Sequence, residues 1–488
     1  MRPTRLLLTA ALREVEALAA PRSHPPLMTL AGRAVARRAL DLARGRRGPI
    51  ALVAGPGNNG GDAWVAADQL LSLGAPVLVW APLGGGTRDP VAASARARFL
   101  AEGGGVVRTL PEDAALLVDG LFGIGLCREL SGGARDAVIA INASRAPALA
   151  IDVPSGLDAD TGAIHGVAVR AAHTITFIAG KPGLVTGNGP DHAGQVDVDS
   201  LGIDDALFPG NVGVLLTRAT VQRLPLRAAN SHKGSFGTVA VVGGAAGMAG
   251  AAILAARGAL FAGAGKVYAT LLAPGAPAYD PAQPEILLRS LDEALTADVL
   301  VAGPGAGAPD SPFAREVLPR LLAADKPLAL DADALTALAH QRALPHADLR
   351  RRHAPTLLTP HPGEAARLLG VSVAEVQADR VAAATELSRT FGAEVVLKGA
   401  GSVCASPNGS WAINASGNAG LASGGTGDVL SGVIGALLAQ TMAPTQALQL
   451  AVWAHGAAAD RLVAQGRGPA GLTAGELPAA IRAILNAP

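Results

Sequence analysis

The sequence predicts an α/β protein made of two parallel-sheet domains. Short apolar segments of strand length alternate along the chain with helical patterns, and glycine-rich loops join them. Hydrophobic residues make up 50% of the chain but aromatic residues only 3%, and 61 residues are glycine, which favours small-residue packing over an aromatic-rich β-sandwich. With 488 residues the chain can form roughly two to four domains, each with its own core.

Charge and cysteine content narrow the range of functions. Lysine and arginine number 40 and aspartate and glutamate 39, so the net charge of +1 gives no reason to expect a nucleic-acid partner. Cys127 and Cys404 lack metal-site spacing and suit a reducing cytoplasm. Charges from Arg13 onward interrupt the apolar start of the chain, which indicates an amphipathic helix rather than a signal peptide. No apolar run approaches the roughly 18 residues of a membrane span. We expect a cytoplasmic homo-oligomer without a membrane partner.

The first half begins with a strand, a glycine loop and an amphipathic helix. The apolar run at 49–53 leads into this loop, which is the layout of a phosphate-binding βα unit. The glycine spacing is not that of the dinucleotide-binding fingerprint. Asn58, Asn59 and Asp62 add oxygen ligands that would suit a hard monovalent cation.

Three charged residues of the first half follow predicted strands. Asp119 and Asp152 each end an apolar segment, and Lys181 follows a third, so all three are expected at the edge where open parallel sheets bind ligands. Taken singly, the aspartates could cap turns or helices and the lysine could be a solvated surface charge. Several polar loops at one sheet edge instead indicate a functional site.

The second half repeats this rhythm. Its apolar segments lie at 298–307, 327–335, 355–370 and 394–409. Their alternation with helical patterns predicts a second parallel sheet. We place the boundary near 215–225 and the two domains at residues 1–218 and 219–488.

The stretch GNAGLASGGTGDVLSG, residues 417–432, predicts a glycine loop that opens a helix. The amides of Gly424, Gly425 and Gly427 can close on a phosphate, and the helix dipole strengthens the attraction. A carboxylate at Asp428 would repel that phosphate, unless it is the base that deprotonates a hydroxyl for attack on the phosphate. The alternative is a tight turn in which Asp428 only caps the helix.

Motifs in the first half resemble those of NAD(P)H-hydrate epimerases. GPGNNGGDA, VDGLFGIGL, IDVPSGLDADTG and the KPGL segment that begins at Lys181 occur in the family's order over about residues 1–215. The resemblance implies a Rossmann-like three-layer αβα fold and substrate contact by Asp152. It implies two substrate loops, formed by Asn58, Asn59, Gly60, Gly61 and Asp62 and by Gly123, Ile124, Gly125, Leu126, Cys127, Arg128 and Glu129. It also implies a potassium ion held by Asn59, Asp119 and Ser155.

Chemistry adds a role for two of these residues. We expect Asp152 and Lys181 to handle protons in the first domain. The sequence departs from the family pattern at two places. Ala63 stands where glycine is usual, and Cys-Arg-Glu at 127–129 replaces the Ser-Arg-Pro stretch of the family. Neither departure removes a group that we expect to be catalytic.

Motifs in the second half resemble those of ADP/ATP-dependent NAD(P)H-hydrate dehydratases, which have a ribokinase-like α/β fold. NSHKGSFG, GGAAGMAGAA, AGPGAG, LDADAL, TPHPGE, LKGAGS and the 417–432 stretch occur in family order over about residues 220–488. The resemblance implies nucleotide binding by Lys398, Gly399, Ala400, Gly401, Ser402 and Gly427. It implies substrate contact by Ala251, Gly307, His361 and Asp428. Ala419 and Ser423 replace the commoner Pro and Thr of the last motif.

Together the two resemblances imply a bifunctional repair enzyme for hydrated nicotinamide cofactors. The first domain would interconvert the R and S hydrates (NADHX and NADPHX), and the second would dehydrate the S hydrate with ADP as co-substrate. Magnesium would accompany the nucleotide phosphates, as its preference for oxygen ligands suggests.

Two alternatives remain. The second domain could be a kinase of a small vitamin-like alcohol, but the fused first domain and the TPHPGE motif argue against this. The first domain could be a non-catalytic scaffold or an RNA-associated module, but the intact NNGGD motif, Asp152 and Lys181 argue against that.

Overall fold

The computed structural model describes residues 5–84, 86–87, 89–341 and 348–487. The chain forms two compact units, which divide between Gly213 and Val214. This division lies five residues before the one that we placed after residue 218. The reason is that the strand Gly213–Leu216 pairs in parallel with the strand Trp411–Asn414 of the second unit.

The first unit is built on a seven-stranded parallel sheet. Its strands are β2 (Ile50–Ala54), β3 (Val77–Trp80), β4 (Gly105–Val107), β5 (Leu116–Gly120), β6 (Ala148–Ile151), β7 (His173–Phe177) and β8 (Gln195–Asp199), after a short β1 (Arg5–Leu6) that bonds to Gly180. Its helices are α1 (Thr9–Ala19), α2 (Leu27–Ala43), α3 (Asn58–Ser72), α4 (Pro90–Ala101), α5 (Gly132–Ala143) and α6 (Gly189–His192). The strand order is β4-β3-β2-β5-β6-β7-β8, which is the Rossmann-like order with its reversal between β2 and β5.

Helices cover both faces of this sheet. Because side chains alternate along a strand, Leu52 of β2 packs with Val35 of α2 and Trp64 of α3, whereas the adjacent Val53 packs with Val138 of α5. All five of these side chains are buried. The predicted three-layer αβα arrangement is therefore confirmed.

The second unit has a ribokinase-like α/β fold around a mixed sheet. Its strands are β9 (Gly213–Leu216), β10 (Thr238–Gly243), β11 (Lys266–Leu271), β12 (Leu287–Leu288), β13 (Val299–Ala302), β14 (Leu328–Leu330), β15 (Thr356–Leu358), β16 (Glu394–Leu397), β17 (Ser402–Ala405) and β18 (Trp411–Asn414). Its helices are α7 (Ala249–Phe261), α8 (Leu291–Ala294), α9 (Leu318–Ala323), α10 (Asp333–His340), α11 (Pro362–Leu369), α12 (Val373–Ala378), α13 (Arg380–Phe391), α14 (Thr426–Ala439), α15 (Pro444–Ala464) and α16 (Leu477–Leu485). The order is β9-β18-β17-β16-β15-β14-β13-β10-β11-β12.

The second sheet is parallel over most of its width, as predicted, but it contains antiparallel pairs near one end. The strands from β12 to β16 run parallel, but β17 pairs antiparallel with both β16 and β18. The segment 394–409 thus contains a hairpin rather than one strand and a loop. Gly399 and Gly401, with φ of 141° and 63°, allow the tight reversal between β16 and β17.

Small residues let α7 and α14 pack closely against each other and against the sheet. A Cβ at Gly432 of α14 would overlap the carbonyl oxygen of Ala255 in α7, and one at Gly258 of α7 would overlap the carbonyl oxygen of Val429. Both helices are rich in apolar residues. Even so, no helix in the described part of the chain is long and apolar enough to cross a membrane.

Gly432→Ala should destabilise the second unit. The added methyl group would meet a backbone atom that cannot rotate away, and overpacking of this kind lowers the free energy of unfolding by about 1–3 kcal/mol. Gly250→Ala in α7 is the matched control, because its Cβ meets open space and alanine favours a helix by up to about 1 kcal/mol. Thermal and urea unfolding should shift in opposite directions for the two variants. Equal shifts would contradict this account of the packing.

Candidate active sites

In the first unit, a fully buried carboxylate lies at the end of β5. Asp119 Oδ1 accepts hydrogen bonds from Ser155 Oγ at 2.6 Å and Leu121 N at 3.2 Å, and Asp119 Oδ2 accepts one from Ser155 N at 2.8 Å. Burial raises the pKa of Asp119, and the bonds from Ser155 oppose the shift. Among the described residues no cationic side chain pairs with it. The structure thus joins Asp119 and Ser155 in one polar cluster, and the potassium ion expected there stays a prediction.

Asn59 borders the same cluster. Its side chain is buried, with Nδ2 unbonded, and a Cβ placed at Gly123 would lie 3.3 Å from Asn59 Oδ1. Gly123, at the start of the 123–129 segment, therefore lies against the Asn59 side chain. The later residues of this loop, Cys127, Arg128 and Glu129, are exposed.

Asp152 and Lys181, for which we predicted proton-handling roles, are hydrogen-bonded to each other. Lys181 is 1% exposed, and its Nζ donates to Asp152 Oδ1 at 2.5 Å, Thr176 Oγ1 at 2.7 Å and the Phe177 carbonyl at 2.9 Å. Asp152 has a φ of 67°, which is uncommon for residues other than glycine. Residues with such strained backbone angles are found most often at functional sites. Its amide donates to the Ile175 carbonyl at 2.7 Å, which fixes this strained backbone at the end of β6.

The NNGGD motif is helical, which corrects the prediction of a loop at residues 58–62. α3 begins at Asn58, so these residues form its first turn. The physical reason is close contact, because a Cβ at Gly60 would overlap the carbonyl oxygen of Gly55, and the glycine lets the helix start directly over β2. A cavity of about 570 Å³ lies beside this turn, lined by Pro56, Gly57, Asn58, Gly86, Thr87 and Asp89.

Sequence reasoning missed an acidic residue from α1. Glu16 is half-buried, and burial, followed by the negative charge of Asp152, raises its pKa. Asp62 is affected in the same way, since burial, Asp152 and Glu16 together raise its pKa well above the usual value. Glu16 was detectable, because it stands in the stripe of α1 that buries Leu12 and Ala19.

In the second unit, the predicted glycine loop opens α14. Gly425 has a φ of 88° and precedes the first helical residue, Thr426, so Asp428 lies in the first turn. Within the described chain, the Asp428 carboxylate accepts no hydrogen bond, and the helix start has no side-chain cap. The alternative in which Asp428 only caps the helix therefore has no support. His455 of α15 lies within 2.9 Å of the Thr426 carbonyl and supports this turn.

Lys398 lies between this turn and a buried aspartate of β14. Its Nζ donates to Asp331 Oδ1 at 2.8 Å and is 4.0 Å from Glu364 Oε2. A Cβ placed at Gly427 would be 3.1 Å from the same Nζ. Asp331 is 1% exposed, Thr359 Oγ1 also donates to its Oδ1 at 2.6 Å, and its Oδ2 is buried without a partner.

In this cluster the pKa values of two carboxyl groups are raised into the neutral range. Burial, followed by the charge of Asp331, raises the pKa of Asp428 to about 7, although Lys398 opposes the shift. Burial raises the pKa of Glu364 to about 7 as well, again against the charge of Lys398. Burial lowers the pKa of Lys398, but the charges of Asp331 and Glu364 outweigh it and the net shift is upward. Asp428 therefore has the acidity of a general base that works near neutral pH.

The predicted substrate-contact residues His361, Gly307 and Ala251 lie at the start of α11, on a loop and in the first turn of α7, respectively. The His361 side chain caps α11 through Nδ1, which accepts bonds from Gly363 N at 3.0 Å and Glu364 N at 3.4 Å. Gly307 N donates to Asp333 Oδ2 at 2.8 Å. Ala251 lies in the first turn of α7, with its Cβ 3.0 Å from where a Cβ at Gly305 would stand.

Asp331, Asp333 and Glu364 were not assigned from the sequence, although the motifs LDADAL and TPHPGE contain them. Lys398, Gly399, Ala400, Gly401 and Ser402 form the hairpin between β16 and β17. Ser402 Oγ closes this turn by donating to the Gly399 carbonyl at 3.0 Å.

Fold and sites define a two-domain enzyme in which a Rossmann-like unit precedes a ribokinase-like, nucleotide-binding unit. The family profile of the YjeF-related N-terminal domain matches residues 25–183, and that of the NAD(P)H-hydrate dehydratase matches residues 239–482. The chain is 40% identical to the bifunctional NAD(P)H-hydrate repair enzyme Nnr of Escherichia coli, over 89% of this chain and 84% of that protein. It is 37% identical to Nnr of Coxiella burnetii, over 97% of this chain and 98% of that protein. The chain belongs to the bifunctional NAD(P)H-hydrate repair enzymes, which confirms the predicted family.

A solved structure resembles the second unit. It is the ADP/ATP-dependent NAD(P)H-hydrate dehydratase of Bacillus subtilis, co-crystallised with ATP and Mg²⁺. The likeness covers 54% of this chain and 93% of that chain, with 33% identity and a TM-score of 0.47.

Asp428→Asn should stabilise the protein in a pH-dependent way. Folding raises the pKa of Asp428 from its usual 3.8 to about 7, so the unfolded state releases its proton first as pH rises. The wild type therefore loses stability between these two pKa values, and the asparagine variant does not. The melting temperature of the variant should exceed that of the wild type at pH 8, and the difference should shrink towards pH 4. A difference that is independent of pH would contradict the raised pKa.

Proposed function

We propose that the chain repairs hydrated nicotinamide cofactors at two separate sites. The first unit interconverts the R and S hydrates of NADH and NADPH, and the second dehydrates the S hydrate with ADP, giving AMP and phosphate. The observation that carries the proposal is the Asp428 carboxylate, which accepts no hydrogen bond from any residue that the structure describes and lies in the same glycine-opened turn that Lys398 approaches. The buried pair of Asp152 and Lys181 supports a catalytic first unit over a scaffold.

The dehydratase step begins with activation of the hydroxyl group, because hydroxide is a poor leaving group. Asp428 takes the proton of the C6 hydroxyl, whose oxygen attacks the terminal phosphorus of ADP, and AMP departs. The amides of Gly424, Gly425 and Gly427 and the positive end of α14 stabilise the charge on the transferred phosphoryl group. Phosphate then leaves C6 as C5 loses a proton, which restores the reduced nicotinamide.

The second site fits a magnesium ion that is bound together with nucleotide phosphates. In the described part of the chain, no three His, Cys, Asp or Glu side chains form a ready-made metal site. Asp331 Oδ2, however, is buried and has no hydrogen-bond partner among the described residues, and Glu364 Oε2 is 4.0 Å from Lys398 Nζ. Mg²⁺ commonly uses one or two carboxylates and completes its shell with phosphate and water. Asp331 and Glu364 would hold it, and the ion would neutralise phosphate charge during transfer.

Epimerisation at C6 requires proton transfer at the hydroxyl group, because this carbon also bears the ring nitrogen and inverts only when its bond to oxygen or to nitrogen breaks and re-forms. Asp152 is the base, and the hydrogen bond from Lys181 holds its carboxylate in place at the end of β6. A potassium ion suits the adjoining cluster, because Asp119 is a buried carboxylate without a cationic partner among the described residues. Asn59, Asp119 and Ser155 would hold the ion, which would compensate the buried negative charge. A cytoplasmic location and a homo-oligomer stay predictions.

Asp152→Asn should abolish epimerisation and spare dehydration. The variant keeps the shape of the side chain but loses the base. With mixed epimers, ADP and magnesium, absorbance at the reduced-nicotinamide band should recover in a fast S phase and a slow R phase, and only the slow phase should disappear. Asp136→Asn on the exposed surface of α5 is the control and should keep both phases. An unchanged slow phase in Asp152→Asn would refute the role of Asp152.

Asp428→Asn should abolish dehydration while nucleotide still binds. Loss of a general base lowers the rate by a factor of about 10²–10⁴, whereas loss of a negative charge beside phosphate favours binding. Asp379→Asn is the matched control, because Asp379 Oδ1 accepts a bond from Ala382 N at 2.9 Å as a true cap and asparagine caps equally well. Turnover and affinity should be measured with ADP and with ATP at equal magnesium, which also tests the proposed preference for ADP. Near-normal turnover of Asp428→Asn would end the assignment.

A further inference from the structure

An arginine outside the predicted site residues lies beneath the nucleotide hairpin. Arg380 is the first residue of α13 and is 1% exposed, which is rare for arginine. Its neighbour Asp379 caps the helix. The roles proposed for the phosphate-binding loop and for the proton-transfer groups do not explain why this guanidinium is buried.

The guanidinium is bonded to the backbone of the hairpin. Nη2 donates to the carbonyl oxygens of Leu397 and Lys398, both at 3.2 Å, and Nη1 donates to Gln377 Oε1 at 2.6 Å. It therefore joins the end of α12 and the start of α13 to the end of β16. Burial lowers the pKa of Arg380 to about 10, so the group remains charged at neutral pH.

Gly399 is shaped to accept this side chain. A Cβ at Gly399 would lie 2.9 Å from Nη2, 3.0 Å from Nη1 and 3.2 Å from Cζ of Arg380. A side chain at Gly399 would therefore press on the guanidinium and shift it, which favours glycine at this position. The φ of 141° at Gly399 imposes the same restriction independently.

Lys398 is held at three points as a result. Its amide donates to the Pro360 carbonyl at 2.9 Å, its carbonyl accepts from Arg380, and its ammonium donates to Asp331. Two of these contacts fix the backbone and one fixes the side chain. Removal of Arg380 would free the Lys398 carbonyl and the turn that follows it.

We infer that Arg380 is a positioning residue for nucleotide binding, which it supports by holding the 398–402 hairpin in its binding conformation. The inference rests on the proposed nucleotide-binding role of that hairpin. Arg380 contacts the backbone of the hairpin. Its replacement should therefore change the affinity for nucleotide more than the rate of the chemical step. Lysine cannot replace it, because one ammonium group lacks the planar fork that serves two carbonyls and Gln377 together.

The test compares Arg380→Met and Arg380→Lys in the full-length chain. ADP affinity by calorimetry should weaken roughly 10- to 100-fold in both variants, as expected when a charged hydrogen-bonding group is lost, and KM for ADP should rise in parallel. The value of kcat at saturating ADP should stay within about threefold of the wild type. In Arg380→Ala, added guanidinium ion should recover part of the affinity.

Two controls separate positioning from general stability. Epimerase activity, measured without nucleotide on the same samples, should be unchanged in every variant. Arg389→Met on the exposed face of α13, where Arg389 pairs with Glu386, should leave ADP affinity unchanged. If Arg380→Met does not fold, Arg380→Lys and Gly399→Ala decide, because both disturb the same contact and should weaken ADP binding.

Two results would overturn the inference about Arg380, and a third would refute the proposed function. Folded Arg380 variants with wild-type ADP affinity would overturn the inference, and so would a fall in kcat with an unchanged KM. Failure of the wild type to dehydrate the S hydrate with ADP would instead refute the proposed function, while the calorimetric comparison would still test Arg380.

Discussion

Each site is organised around one lysine, buried at Lys181 and half-buried at Lys398, that faces more carboxylates than it can neutralise. Lys181 bonds to Asp152 within the field of two further acids, and Lys398 bonds to Asp331 within the field of Glu364 and Asp428. A buried charge is unfavourable unless it is paired, so the surplus carboxylates gain protons or cations. This imbalance produces the raised pKa values, and it explains why potassium and magnesium would each suit the cluster proposed to hold it.

The parallel sheets make these clusters possible. Strand ends that are distant in the sequence meet at one edge of a parallel sheet. Asp331 follows β14, Glu364 lies after β15 and Lys398 follows β16, so these three residues come together although they are far apart in the chain. Glycines then let helices begin very close to the strands, as at Gly60, where no Cβ fits. The rigid packing of small residues behind the sites holds the like charges in place despite their repulsion.

The sequence predicted the parts of this structure that local patterns determine. Apolar runs located the main strands, and the position of Asp119 and Asp152 after such runs predicted the buried acids at the sheet edge. The helical state of NNGGD was missed, because it depends on the contact of Gly60 with Gly55 rather than on local propensity. The roles of Asp331 and Glu16 were missed for a related reason. Their partners lie far away in the sequence, and only the folded chain shows which charges meet.

The position of Lys398 is set by its neighbours rather than by its own hairpin. Asp331 fixes the ammonium group, and Arg380 fixes the backbone behind it. A charge held in this way is already oriented before nucleotide binds, so little conformational entropy is lost on binding. Asp428, by contrast, lies on α14 and accepts no hydrogen bond within the described chain. Bound phosphate would add negative charge beside it and raise its proton affinity further, while Lys398 and a magnesium ion would limit that rise. The strength of the proposed base would thus depend on the nucleotide being present.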